Sequence, residues 1–178
     1  MSSNSCIERL EARQLLYSAV MRGEDLLITG NENAGDVVFV SLSPDGKEIG
    51  VQINSAAPKL FPKTDIERIR FRGLSGNDTF KVSEKRGPLG IRVWMSGGDG
   101  HDTLIGGRET DYISGGKGND IINAGDGRNT VYGGDGNDLI DSGAGNDYLS
   151  GGKGDDLLNA FHGRNTLLGN DGNDLLYA

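Results

Sequence analysis

From residue 97 to 177 one aliphatic position returns every nine residues: Leu104, Ile113, Ile122, Val131, Ile140, Leu149, Leu158, Leu167 and Leu176. Each sits in the middle of a three-residue run that reads as a short strand. Side chains alternate along a strand, so the middle one points inward and its neighbours outward. The six residues before each run are polar and glycine-rich, which reads as a turn. Successive turns fall on opposite edges, and two units close one eighteen-residue coil. Coils then stack at the usual strand spacing of roughly 4.8 Å. A longer period overlays this one. Residues 114–140 match 150–176 at 18 of 27 positions, so the duplicated piece is itself two coils long. A self-similar period of this kind sets the architecture before local propensity is considered.

Upstream the pattern is less regular. Residues 6–21, CIERLEARQLLYSAVM, place Ile7, Leu10 and Leu15 among charges and read as a short amphipathic helix. From Asp25 the chain is strand-rich: LLITG, DVVFVSL, EIGVQIN, IERIRFR and IRVWM, with SPDG at 43–46 turning a hairpin. In IERIRFR, Ile69 and Phe71 alternate inward while Arg68, Arg70 and Arg72 form a solvated face. Three segments follow: residues 1–24; an irregular β cap over 25–96; and a repeat roll over 97–178. The cap includes GNENAGD, a loose version of the later turns, and one degenerate repeat, GLSGNDTFK, at 73–81. A solenoid end needs such a cover, because an open edge strand pairs with other chains. Trp94 is expected in this cap, packed over the first coil.

Composition changes the picture in one respect. Thirty glycines, 6% aromatics and a net charge of −8 would by themselves suit a disordered acidic chain. The distribution argues otherwise. Residues 97–177 hold 14 Asp/Glu against 5 Lys/Arg, and 21 of the 30 glycines; the remainder holds 12 acids and 13 bases. All excess acid is therefore built into the repeat. A single cysteine, Cys6, excludes an internal disulfide framework. No apolar run approaches the roughly 18 residues of a transmembrane helix. No HExxH or GxSxG occurs, and GGKG at 115–118 and 151–154 is followed by Asn or Asp rather than Ser/Thr, so neither stretch is a phosphate loop. No basic, aromatic-rich surface suggests nucleic acid. The chain reads as non-enzymatic.

The turns sort by parity. The first odd turns are GGDGHD (Gly97, Gly98, Asp99, Gly100, Asp102) and GGKGND (Gly115, Gly116, Lys117, Gly118, Asp120). GGDGND (Gly133, Gly134, Asp135, Gly136, Asp138) and GGKGDD (Gly151, Gly152, Lys153, Gly154, Asp156) follow, and GNDGND (Gly169, Asp171, Gly172, Asp174) is last. Each has glycine fourth and Asp sixth. Glycine permits backbone conformations that other residues resist and lets carbonyls converge. Asp adds a hard carboxylate oxygen. Calcium takes six to eight oxygens, carbonyls included, in tolerant geometry. Five stacked turns enclose four gaps, and these four are expected to bind Ca2+.

The even turns, GGRETD, AGDGRN, SGAGND and AFHGRN, alternate Asp111, Asn129, Asp147 and Asn165 at the sixth position. Glu109 and Phe161 replace glycines, and Arg128 and Arg164 precede the asparagines. Two readings stay open here. Either the guanidinium groups offset neighbouring carboxylates and the edge binds weakly, or the Asn carbonyls ligate and all gaps fill. About four bound ions support the first and about seven the second. On the odd edge Asp99, Lys117, Asp135, Lys153 and Asp171 alternate in sign at one-coil spacing, which is weakly stabilising. Thr103, Ile121, Leu139, Leu157 and Leu175 form an outward stripe, mostly apolar, suited to a protein or cell-surface partner.

The nine contiguous units resemble the GGxGxDxUx nonapeptide of the RTX, or hemolysin-type calcium-binding, family. The resemblance covers residues 97–177 and implies an all-β fold, a right-handed parallel β-roll with calcium held between stacked turns. It also implies export from a bacterium, hence an extracellular or cell-surface location. The segment 6–21 is a poor secretory signal, but is similar to the Arg/Leu-rich N-terminal segments of large exported bacterial proteins. The function expected is a secreted module that folds on binding Ca2+. The alternatives are a surface adhesion or structural protein, or an accessory module of a larger secreted enzyme.

Overall fold

The computed structural model describes residues 18–32 and 34–178. The helix expected over 6–21 falls mostly outside them, and its described end, 18–21, is strand. β1 (Ser18–Arg22) and β2 (Asp25–Thr29) form an antiparallel hairpin. β3 (Val37–Leu42), β4 (Glu48–Ile53) and β5 (Lys59–Pro62) form an antiparallel meander, followed by a 3-10 turn at Lys63–Asp65. β6 (Arg68–Ser75) and β7 (Thr79–Ser83) come next, then β8 (Arg92–Asp99) and β9 (Thr103–Ile105). The repeats supply β10 (Tyr112–Lys117), β11 (Ile121–Asn123), β12 (Thr130–Asp135) and β13 (Leu139–Ala144). They continue with β14 (Tyr148–Lys153), β15 (Leu157–His162), β16 (Thr166–Asp171) and β17 (Leu175–Tyr177). Among the described residues no helix is long and apolar enough to cross a membrane.

Two sheets face each other. One runs β1-β2-β6-β8-β10-β12-β14-β16, the other β17-β15-β13-β11-β9-β7-β3-β4-β5. From β2 and from β3 onward every step along the roll is parallel. The odd turns join the first sheet to the second, and the even turns return. The parallel ladder thus begins at β2 and β3, well before the first regular nonapeptide, and β1 and the β4–β5 meander flank its first coil. Leu26 pairs with Ile69 and Ile69 with Val93, steps of 43 and 24 residues. Ile113 pairs with Val131, a step of 18. The first two coils carry insertions, the meander in one and residues 84–91 in the other, and that hides their period.

The core changes along the axis. The first two coils turn two or three apolar residues per strand inward: Leu26 and Ile28, Val38, Val40 and Leu42, then Ile69 and Phe71, Phe80 and Val82. Phe71 and Phe80 stack across the sheets at 4.8 Å. In the repeats one aliphatic per strand is buried, from Leu104 to Leu158. Leu167 is partly buried and Leu176 exposed in the last coil. Trp94 corrects an expectation. It does not pack over the first coil. It stands on the outer face of β8, 37% exposed, with the Arg68 and Arg70 guanidinium groups 4.3 and 4.7 Å from its ring. Asp25 ion-pairs with both arginines, at 2.9 and 3.0 Å. This part of the arginine face is therefore a paired cluster over an aromatic ring rather than three free side chains.

Candidate metal centre

Every odd turn takes the same backbone path. The second and fourth residues have positive φ: Gly98 and Gly100 (+120° and +138°), Gly116 and Gly118 (+124° and +113°), Gly134 and Gly136 (both +129°), Gly152 and Gly154 (+126° and +119°). In the last turn Asn170 (+76°) and Gly172 (+140°) hold these places. Space demands glycine as well. A side chain on Gly118 would strike the Gly100 carbonyl, one on Gly136 the Gly118 carbonyl, and one on Gly154 the Gly136 carbonyl. Each turn aims its fourth carbonyl at the turn above, which is the convergence the glycines permit.

The sixth residues form a buried ladder. The Asp102 backbone N–H donates to Asp120 Oδ1 at 2.8 Å, and Asp120, Asp138 and Asp156 repeat this to Asp138, Asp156 and Asp174 at 2.8–2.9 Å. These bonds use only one oxygen of each carboxylate. Oδ2 of Asp102, Asp120, Asp138 and Asp156 is buried without a hydrogen-bond partner, in side chains 1–3% exposed. Each of these atoms faces the first glycine of its own turn, Gly97, Gly115, Gly133 or Gly151. A methyl on Gly97 would strike Asp102 Oδ2 and come within 2.6 Å of the Gly115 carbonyl; Gly115 and Gly133 repeat this with the carbonyls of Gly133 and Gly151. The gap between successive turns is thus lined by oxygen and lacks a donor.

Ionisation responds to this environment. Burial raises Asp102 and Asp120 from the ordinary 3.8 to about 6 and Asp138 to about 7, against the lowering effect of the N–H bonds. Neighbouring carboxylates push the same way: Asp120 on Asp102, and Asp120 and Asp156 on Asp138. Asp156 is also raised, chiefly by burial. A buried carboxylate needs a charge partner or a proton. Among the described residues no three His, Cys, Asp or Glu side chains cluster as a metal site. The donors here are instead one or two carboxylates with backbone carbonyls, an all-oxygen set that suits a hard dication such as Ca2+.

The third-position side chains stand apart from these gaps. Lys117 pairs with Asp99 at 3.0 Å and Lys153 with Asp135 at 2.9 Å, all four more than half exposed. Only their backbone joins the turns: the Lys117 carbonyl accepts the Gly100 N–H, and the Asp171 carbonyl the Gly154 N–H. A second ladder, which the sequence reading missed, lies at the fifth position. His101 N–H donates to Asn77 Oδ1, Asn119 N–H to His101 Nδ1, Asn137 N–H to Asn119 Oδ1, and Asp155 N–H to Asn137 Oδ1, at 2.7–3.0 Å. It runs opposite in sense to the Asp ladder. Its signal was present, since the fifth residue of every odd turn is His, Asn or Asp and thus an acceptor.

The even edge is built differently. Asp111 Oδ1 accepts the Val93 N–H and Oδ2 the Gly107 N–H, at 2.7 and 3.1 Å. Burial raises Asp111 to about 6. Asn129 accepts the Asp111 N–H on Oδ1, while its Nδ2 donates to the carbonyls of Gly125 and Asp126 at 3.0 and 3.3 Å. Asp147 accepts from Asn129 and donates its N–H to Asn165, and its Oδ2 is buried without a partner, as is Ser142 Oγ in the same turn. Among the described residues neither Arg128 nor Arg164 forms an ion pair. The Asn129 amide itself occupies its turn.

Comparison with known proteins agrees with this geometry over the repeats. The family model for the RTX calcium-binding nonapeptide repeat (4 copies) matches at residues 96–131, 124–158 and 159–178. Neither a curated protein nor a solved structure matches the chain. RTX nonapeptide repeats bind Ca2+, and residues 96–178 of this chain are built of such repeats.

Proposed function

We propose that the protein is a secreted, non-enzymatic calcium-binding β-roll module whose repeat segment folds on binding the ion. The supporting observation is the file of buried, unpartnered Oδ2 atoms at Asp102, Asp120, Asp138 and Asp156. Four Ca2+ ions occupy the gaps between the five odd turns. The donors are these carboxylates, Asp174, and the carbonyls of the turn glycines. Lys117 and Lys153 contribute backbone only. The even edge binds fewer ions, because Asn129 donates an amide to the carbonyls of its own turn and Asp111 Oδ2 is already hydrogen-bonded.

Magnitudes favour coupling of folding to the ion. Leaving a buried polar atom unsatisfied costs about 1–3 kcal/mol, and more when it is charged. Extracellular calcium modules bind with dissociation constants of roughly 10⁻⁴–10⁻³ M. At about a tenfold excess, millimolar calcium over the tighter end of that range, each independent site contributes about 1.4 kcal/mol. Four sites then reach the lower end of the roughly 5–15 kcal/mol that separates a folded domain from its unfolded chain. Low calcium inside a cell keeps the repeat unfolded, and external calcium orders it after export. Far-UV circular dichroism during a calcium titration tests this. The β signal should rise cooperatively and fall again with EGTA. A spectrum unmoved by either would overturn the reading.

A further inference from the structure

The matched repeats begin at residue 96, yet the turn one coil earlier, 73–78, has the same construction. Its sequence is GLSGND. Gly76 has φ +118°, and Leu74, a residue with a side chain, is held at +80° where the next four odd turns place glycine and the last places Asn170. The Asp78 N–H donates to Asp102 Oδ1 at 2.7 Å, which extends the ladder upstream. Asp78 is 1% exposed, Oδ1 accepts the Asp36 N–H at 2.6 Å, and Oδ2 is buried without a partner. A methyl on Gly73 would strike both Asp78 Oδ2 and the Gly97 carbonyl. This oxygen-lined gap repeats those at Gly97, Gly115 and Gly133.

One coil further upstream the outline persists and the chemistry changes. The place of a Cβ on Gly30 lies 2.6 Å from the Gly73 carbonyl and 2.9 Å from Asp36 Oδ2. Asp36, however, is fully provided with donors. Its Oδ2 accepts the Asn31 N–H at 2.8 Å, and its Oδ1 accepts Nδ2 of Asn54 at 2.8 Å. Asn54 follows β4 with φ +53° and is fixed to Val37 twice, N–H to carbonyl at 2.7 Å and Oδ1 to N–H at 2.8 Å. An amide brought by the meander thus serves at Asp36 where a cation would otherwise be needed.

We propose that a fifth calcium site lies between turns 73–78 and 97–102, formed by Asp78, Asp102 and the facing carbonyls, and that the metal ladder ends there because Asn31 and Asn54 close the next rung at Asp36. The site rests on the reading of the odd edge as a calcium array. It joins the aromatic-cored coils to the repeat coils through an ion.

Asp78→Asn in the full chain tests it. The amide keeps an acceptor for the Asp36 N–H and turns a donor into the gap, as Asn129 does on the other edge. Equilibrium dialysis at saturating calcium should count one ion fewer per chain than in the wild type. Asp138→Asn serves as the reference, since it must also lower the count. Should Asp78→Asn fail to give a β spectrum in calcium, Asp78→Ser, smaller and uncharged, is read instead, with the same one-ion loss expected. An unchanged count in the Asp78 variant beside a lowered one in Asp138→Asn overturns the fifth site alone. A wild type that binds no calcium overturns the reading of the whole edge.

Discussion

The first two coils and the repeat coils share one pair of sheets and one hydrogen-bond ladder, yet different forces hold them. Each early coil buries at least four apolar side chains, with Phe71 and Phe80 in contact, and a meander supplies Asn54 to satisfy Asp36. A repeat coil such as β12–β13 buries two large ones, Val131 and Ile140, and keeps a carboxylate oxygen inside without a partner. At about 1.5–3 kcal/mol per large apolar side chain, the repeat coil has half the hydrophobic contribution of the early coil and carries the cost of a buried charge as well. On the proposed calcium reading the same backbone path is stabilised mainly from within in one region and by a bound ion in the other. The stability of the repeat coils should then follow calcium concentration, and that of the first coil, whose Asp36 is closed by Asn31 and Asn54, should not.

Substitutions in the two cores should break the contrast most strongly. Phe71→Ala should cost about 3–5 kcal/mol and lower the unfolding midpoint of the early coils by the same amount in calcium and in chelator. Asp138→Asn should behave in the opposite way. In millimolar calcium it loses coordination at its gaps, about 1.4 kcal/mol for each site abolished at a tenfold excess. In EGTA, where the repeat coils are unfolded on this reading, it should leave the melt of the early coils unchanged. Thermal melts of both variants under both conditions would show whether the Asp effect requires the ion.

Asn129→Asp sharpens the difference between edges. It replaces an amide that donates to Gly125 and Asp126 carbonyls by a carboxylate with no donor. The calcium concentration needed to fold the roll should rise, because the added carboxylate costs about 1–3 kcal/mol until its own ion binds, and equilibrium dialysis at saturating calcium should count one more ion per chain. Acid should act in the same sense as calcium. Folded Asp102 and Asp120 titrate near 6 and Asp138 near 7, above the ordinary 3.8, because they are buried. The folded form therefore holds more protons than the unfolded one between about pH 4 and 7. Metal-free stability is then greatest below about pH 4 and is lost as pH rises through 6 to 7. Calcium affinity runs the other way and weakens as the carboxylates protonate. Melts in EGTA and calcium titrations, each across this range, would test both signs. The smallest effect is expected at the exposed ladder. Lys117→Met, which removes the pair with Asp99, should shift stability by less than about 1 kcal/mol.

Much of this was legible in the nine-residue period. The inward aliphatics, the parallel stacking, the Asp file and the inequality of the edges all follow from position within a unit. What the period did not carry depends on residues distant in sequence. Insertions stretch the step from Leu26 to Ile69 to 43 residues, so β2, β3, β6 and β7 do not read as coils although they stack as such. Asn54 reaches Asp36 only because the meander folds back, and no local spacing announces that. A large ring usually seeks burial, which favours an inward Trp94; paired arginines over its face give it an outer position instead. The arginines beside Asn129 and Asn165 suggest charge compensation, whereas the Asn129 amide satisfies its turn directly.

Region-resolved hydrogen exchange, with and without calcium, addresses the division between the two regions most directly. In EGTA the amides of Leu104, Ile122 and Ile140 should exchange as in an unfolded chain, while those of Val38, Val40 and Phe71 stay protected. Millimolar calcium should restore protection to the first group and leave Val38 and Val40 unchanged. Equal protection of both groups in chelator would contradict the account.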